Sequence, residues 1–434
     1  AHGANAPKPS AVTDAAVQGA QAKPPDGGAG AWGMKMTEPI WRGLFRERDF
    51  LRLWLAGLAT YVVRWLETLA VGVFAYNATH SAFIVAMLTM LRLLPMGLFG
   101  AFLGAAADRM DRRRTLLLVI LSQLVTSAAI AVLAAADAVA VWHLAVASFM
   151  NGIGWAADNP VRRAMIGQVA GPARMGAAMS IDVATSNGSR VLGPTLGGLI
   201  LAALGLHGAF LLSVLIYLPA VVAVLRLPPA PPAPGAGVTP VLASIAEGFT
   251  QMRREPRLVG TLLVTLLFNL FGWPATSMVP VIGQDQLALG PRGIGLLAGM
   301  DGVGAFLGAV TVAVLARPEH YKAIYLGGIA LYFAMLPGFA WASGPGMAGF
   351  ALLLVGIGGA GFAIMQPTLI FLATPVELRS RMLGLLSVCI GSGPIGFLVL
   401  GGLAEAVGAP AATAAMGITG LAALALTRRW WRHI

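Results

Sequence analysis

The sequence predicts an all-α membrane protein of twelve transmembrane helices, arranged as two pseudo-symmetric halves of six. Three observations carry that expectation. Of 434 residues, 57% are hydrophobic and only 11% charged, with a mean hydropathy of +0.79, too few charges to cover a surface in water. Twelve apolar runs follow one another between about residues 50 and 428, each near the roughly 20 residues that a bilayer core of about 30 Å requires. The chain also repeats itself. GAFLGA stands at 100–105 and again at 304–309, Gly-Pro at 193–194 and 393–394, and the Trp, Thr and Val of RWLETLAV (64–71) recur in GWPATSMV (272–279). Ordered matches at offsets of 204, 200 and 208 residues describe a duplicated six-helix unit with both copies in one orientation. The runs are continuous rather than alternating, which argues against a transmembrane barrel.

Taken in order, residues 1–33 are rich in Ala, Gly and Pro, without an apolar segment or periodicity, and read as a disordered tail rather than a signal peptide. IWRGLFRERDFLRL (40–53) mixes aromatics and Arg at helical spacing, the pattern of an interfacial helix, so 1–48 forms a tail plus that helix. The first half, 49–227, holds spans at about 50–76, 82–107, 115–136, 141–163, 177–204 and 207–227. PPAPPAPGAG (228–237) opens a linker that runs to 256. The second half, 257–434, holds spans at about 257–283, 293–315, 324–343, 347–372, 382–407 and 410–428, then a basic tail.

The net charge of +11 is explained by where the cations lie. Arg109, Arg112, Arg113, Arg114, Arg162, Arg163, Arg174, Arg253, Arg254, Arg257, Arg317, Lys322, Arg379, Arg381, Arg428 and Arg429 fall in alternate connections, and only Arg292 in the other set. The positive-inside rule then puts both termini and the linker in the cytoplasm of a multi-pass plasma (inner) membrane protein, and nucleic acid is not needed as a partner. Cys389 is the single cysteine, and His80, His143 and His207 have no ligand spacing, so neither a disulfide nor a metal site is expected. No P-loop is present, and the GxGxxG at 356–361 lies mid-span with no strand before it, which reads as helix packing rather than a nucleotide site. No cofactor and no enzymatic reaction are expected.

GAAADRMDRRRTL (104–116) resembles the loop signature between helices two and three of the major facilitator superfamily, with Asp111 in place of its second Gly. SRVLGPTLGG (189–198) resembles that superfamily's fifth-helix antiporter motif, with Ser189 for the leading Gly. RDFLRLWLAG (48–57), LRLLP (91–95), DNPVRRA (158–164) and TPVELRSRMLG (374–384) are similar to the branch containing the enterobactin exporter and macrolide-efflux proteins. The resemblance implies a monomeric secondary transporter working by alternating access: a proton-coupled exporter of a small amphipathic compound such as a siderophore, a macrolide or another drug. An importer or facilitator of a metabolite, or a sensor or scaffold of the same fold, stays open as the alternative. The resemblance also implies a cytoplasmic gate at Gly104, Asp108, Arg109, Arg112 and Arg113, with Arg112 pairing to an acid near the end of helix four, where Asp158 stands. It implies an export-associated seal at Arg190, Gly193, Pro194, Gly197 and Gly198.

Ionisable groups inside the spans are costly, about 2.5–3.5 kcal/mol each near the bilayer centre even on a lenient insertion scale, so they face a cavity or a partner. Arg64 and Glu67 are three residues apart, on one helix face with Tyr61 and Thr68. Glu67 is the candidate proton carrier, with Arg64 or Arg92 tuning it; a permanent Glu67–Arg pair that only orders the helices is the open alternative. Asp301 is a second candidate, for protonation or for a cationic substrate, with a structural role as the open alternative. The helix-four Arg of many drug/proton antiporters is missing, since Ser148 precedes Asn151-Gly152, so coupling rests on Glu67 or Asp301. Helix phase points Tyr61, Trp65, Asn187, Asn269, Trp273 and Gln366 toward a substrate cavity.

Overall fold

The computed structural model describes residues 40–231, 249, 250, 252, 255–375 and 379–434. Helices α1 (Ile40–Arg46), α2 (Arg48–Thr79), α3 (Ala82–Arg109) and α4 (Arg112–Ala135) are followed by α5 (Val141–Leu225). The second half holds α6 (Pro256–Leu267), a π turn (Phe268–Gly272), a 3-10 turn (Trp273–Met278) and α7 (Val279–Asp285) in one rod. It continues through α8 (Pro291–Leu315), α9 (Tyr321–Ala340), α10 (Pro345–Ala373), α11 (Arg379–Ile390), α12 (Gly393–Val407), α13 (Ala409–Leu426) and α14 (Arg428–Trp431). Among the described residues, ten helices are long and apolar enough to cross a membrane. The expected linker falls largely on 232–248, outside the described residues.

One of those ten is the 85-residue α5. At 1.5 Å per residue it would measure about 130 Å if straight, and it is not straight. Gly171 (φ 69°, ψ 168°) and Gly205 (φ 64°, ψ −165°) leave helical geometry, in a region of φ/ψ space that is essentially closed to residues with a Cβ. At the first break Pro172 also disfavours a helical residue before it. The breaks divide α5 into limbs 141–170, 172–204 and 206–225. Residues 164–170 and 172–176, expected as a connection, are thus helical; their polarity marks where the chain leaves lipid, not where the helix ends.

Helix termini follow side-chain chemistry. Asp111, the residue that departs from the superfamily signature, caps α4 by accepting from the Arg114 N–H at 2.9 Å, a role Gly could not fill. Its other oxygen accepts from the Ala230 N–H at 2.9 Å and so anchors the end of the first half.

Buried apolar residues fall into clusters whose placement is uneven. At the end carrying connections 80–81, 136–140, 286–290 and 341–344, one core spans both halves: Leu66, Ala70, Val85, Leu144 and Phe210 pack with Met278, Ile282, Leu297, Phe339 and Leu400. At the opposite, Arg-rich end each half keeps its own core. Phe50, Leu53, Leu116, Met165 and Tyr217 form one; Leu258, Leu262, Ile370 and Met382 form the other.

Polar contacts reinforce the shared end: Tyr76 hydrogen-bonds Asp285, Gln284 Nε2 donates to Asn77 Oδ1 at 2.6 Å, and Ser81 Oγ donates to Glu405 Oε2 at 3.0 Å. Further along the bundle the halves approach at Gly97 and Gly391, where a methyl group on Gly97 would lie 3.0 Å from the Gly391 Cα.

Candidate functional site

Between the halves lies a cavity walled mainly by apolar side chains and carrying Arg64, Arg92, Arg190, Asp301 and Tyr332 as its charged and phenolic groups. Two of the expected lining residues reach it, Trp65 and Trp273, and Arg190 and Pro194 of the fifth-helix motif, expected as a seal, line it as well. Tyr61 instead lines a smaller space within the first half, beside Gln123, Asn151, Trp155 and Asp158. Arg64 and Arg92 line both spaces and form the partition between them.

Asn187, Asn269 and Gln366 are not among the residues lining either space. Asn187 shares the stripe of Arg190 and Pro194 but sits one turn nearer the Arg-rich end. Asn269 is buried and donates to the Thr265 carbonyl at 2.9 Å, and Gln366 donates to Thr265 Oγ1 at 2.9 Å, in a network with Tyr325. For Asn269 a helix phase of 100° per residue fails because the π turn and the 3-10 turn, which change the rotation per residue, occupy 268–278.

Glu67 is completely buried. Three residues on one helix are separated by about 60° around the axis, and that angle parts the expected pair. Arg64 reaches the cavity and lies over the Trp155 ring, 3.3 Å from its centroid, a cation–π contact. Glu67 turns into the first half, where Ser127 Oγ of α4 donates to Oε1 at 2.6 Å and Asn151 Nδ2 of α5 donates to Oε2 at 3.0 Å. Among the described residues, no Lys or Arg lies within 4 Å of it, so the permanent Glu67–Arg ion pair is not formed in this conformation. Arg92 lines the smaller space beside Asn151, which donates to Glu67, and makes no ion pair with the acid.

Asp301 is paired instead. Its Oδ2 accepts from Arg190 Nη2 at 2.5 Å, which joins α8 to the middle limb of α5 across the two halves. The fifth-helix motif explains the approach. Gly193 and Gly197 lie against α2, where added methyl groups would fall 2.5 Å from Trp65 Cβ and 2.9 Å from the Leu66 carbonyl oxygen. On the same limb, a methyl on Gly198 would fall 2.8 Å from the Gly295 Cα of α8. Pro194 has no N–H to give the Arg190 carbonyl, and Gly302 covers that oxygen: a methyl there would lie 2.6 Å from it.

The second GAFLGA serves packing as well, since Gly304 and Gly308 face Leu353 and Ile357 of α10, and Gly356 and Gly358 of the GxGxxG run face Asp301 and Gly328 backbone. The contacts of the first copy, Gly104 among them, and the side chains of Asp108 and Arg109 lie outside the described ones.

Asp158 differs from expectation in its partner. Its Oδ2 accepts from Arg162 Nε at 3.2 Å, one helical turn away, not from Arg112. Arg162 also pairs with Asp182, which accepts from Arg163 Nε at 2.9 Å and from the Tyr61 hydroxyl at 3.3 Å. Arg113 donates to the Leu225 carbonyl at 2.5 Å, and the Arg112 N–H donates to the Ala230 carbonyl at 2.8 Å. Sequence reasoning missed the hub role of Arg162, although the i, i+4 spacing of Asp158 and Arg162 was a usable signal.

Comparison with known proteins agrees with this architecture. Residues 42–431 match the family of transmembrane secretion effectors. The chain is 29% identical over 363 residues to the multidrug efflux pump Tap of Mycolicibacterium fortuitum, covering 78% of this chain and 85% of the pump. It is 24% identical over 277 residues to the staphyloferrin A transporter of Staphylococcus aureus, covering 63% and 67% of the two chains. In fold it is similar to the crystal structure of the nucleoside transporter NupG, with a TM-score of 0.74 over 88% of this chain and 99% of that one at 12% identity. Two helical halves around a charged central cavity, with the family matched along nearly the whole chain, place it in the transmembrane secretion effector family of major facilitator transporters.

Proposed function

We propose that this transporter is a secondary exporter of a small amphipathic compound, working by alternating access with Glu67 as the group that carries the coupling proton. The observation that carries the reading is the uneven core: one end is closed by apolar packing shared between the halves, while at the Arg-rich end each half has its own core. Two rigid halves around a central cavity that are joined at one end form the kind of bistable element alternating access needs. By the positive-inside rule the Arg-rich end is cytoplasmic, so the end that the shared core holds together is the outer one. With α5 crossing three times and α11 and α12 forming one span, the chain crosses the inner membrane twelve times with both termini inside.

A proton route accompanies the cavity. Asn151, which donates to Glu67, also lines the smaller space that leads past Trp155 to Asp158 near the cytoplasmic end. Asp158 Oδ1 is buried without a partner among the described residues, which leaves it able to take up Arg112 when that end closes. Export is supported by the likeness to the multidrug efflux pump Tap. The test is substrate flux into inverted proteoliposomes under an imposed pH gradient, with a siderophore, a macrolide and a cationic drug. Accumulation that follows the gradient supports export, whereas flux indifferent to it leaves a facilitator.

The closed end makes its own prediction. Asp285→Asn with Glu405→Gln weakens two contacts between the halves, each worth about 0.5–1.5 kcal/mol. Spin labels on His80→Cys and Gln286→Cys, in a Cys389→Ser background, are expected to show a larger share of long distances in that double variant. An unchanged distance distribution would mean that the apolar core alone holds this end shut.

A further inference from the structure

The charges around the cavity do not balance. Arg64, Arg92 and Arg190 face it against the single acid Asp301, and Asp301 is taken up by Arg190. Arg64 and Arg92 are left. Among the described residues neither makes an ion pair within 4 Å or a side-chain hydrogen bond. Arg92 is only 7% exposed, and both side chains line the cavity and the smaller space beside it. The acid closest in function, Glu67, is turned away and satisfied by Ser127 and Asn151.

Two cations on one cavity wall, Arg92 buried and Arg64 half-buried, with no counter-charge in contact, are costly unless something supplies one. A guanidinium is the side chain best matched to a planar, two-oxygen anion. The remaining wall is apolar and aromatic. Trp65 lies beside Arg64 and Arg190, 5.6 and 5.4 Å from its ring centroid, and Trp273 lines the same space.

We propose that the cavity takes an anionic amphiphile, an aromatic or otherwise apolar compound bearing a carboxylate or sulfonate, with its acid group held by Arg64 and Arg92 and its apolar body against Trp65 and Trp273. This rests on the transport reading above and narrows its substrate class. The membrane potential, negative inside, favours the exit of such a compound by about 2.3 kcal/mol per charge per 100 mV. A cationic compound meets the opposite field and only one acid, already paired.

Three probes with one ring system test it: 1-naphthylacetate, 1-naphthylacetamide and 1-naphthylmethylammonium, titrated calorimetrically into the full chain in lipid nanodiscs. The acetate is expected to bind at least tenfold more tightly than the other two. Arg64→Gln and Arg92→Gln should each remove that preference, and Arg92→Lys, which keeps the charge, should retain most of it. Equal affinities, no binding of the acetate, or a preference that survives both glutamine variants would overturn the proposal. The probe series on the parent protein decides the matter even where a glutamine variant fails to fold. Flux of the same probes in proteoliposomes separates the two readings: flux without acid preference overturns the anion site and keeps the transporter, while acid-selective binding without flux does the reverse.

Discussion

Replacing Glu67 with glutamine is expected to abolish the dependence of flux on a pH gradient while leaving the protein folded. The carboxyl is fully buried and held by two donors, Ser127 Oγ and Asn151 Nδ2. Glutamine has the same shape and keeps one acceptor oxygen; its amide nitrogen can donate to Ser127 once the hydroxyl rotates. The lost charge-assisted bond is worth about 1.5–3 kcal/mol at most, so the melting temperature in detergent should fall by only a few degrees. What disappears is the ability to take up and release a proton. Gradient-driven accumulation should drop at least tenfold, with exchange of substrate against substrate retained. Glu67→Asp, one methylene shorter but still ionisable, should keep the gradient dependence at a lower rate. Accumulation in Glu67→Gln that still follows the pH gradient would remove Glu67 from the mechanism.

The surroundings of Glu67 also show how far the sequence can be read. That an acid lies inside the first span and cannot face lipid is legible from composition and periodicity, and so are the helical spans, because lipid demands long apolar runs. Which partners the acid finds is a matter of tertiary packing. Ser127 and Asn151 are 60 and 84 residues away, and nothing local connects them to Glu67. The same holds for Arg190 and Asp301, 111 residues apart: each stood out as an intramembrane charge, and their pairing across the halves did not. The polar wall is not legible where helical phase is not constant, at Asn269 within the π turn. Arg112 and Asp158 were expected together on resemblance, and in this conformation Asp158 takes the nearer Arg162.

Arg162 is where the largest loss of stability is expected. Its side chain is completely buried and lies between Asp158 and Asp182, over the Tyr61 ring at 4.6 Å. Gly57 makes the space, since a methyl group there would come within 2.5 Å of Arg162 Nη1. Arg162→Met removes the cation and leaves both acids. Asp182 keeps Arg163 at 2.9 Å, whereas Asp158 has no other cation within 4 Å among the described residues. Breaking one side of a buried ion pair costs about 3–5 kcal/mol because the remaining charge is uncompensated, so the variant should lose most of its folded yield and unfold at a markedly lower temperature.

Adding Asp158→Asn to Arg162→Met removes the orphaned charge and should recover part of the loss, a coupling that a double-mutant cycle measures directly. Gly57→Ala should act in the same direction through sterics alone, by pushing the guanidinium off Asp182. Additive effects of Arg162→Met and Asp158→Asn would mean that the two side chains stabilise the first half independently. If they are coupled as the geometry requires, Arg162 is the charge that lets two acids lie buried at the Arg-rich end of one half, and it holds Asp158 by Oδ2 alone, so that Oδ1 is left for Arg112.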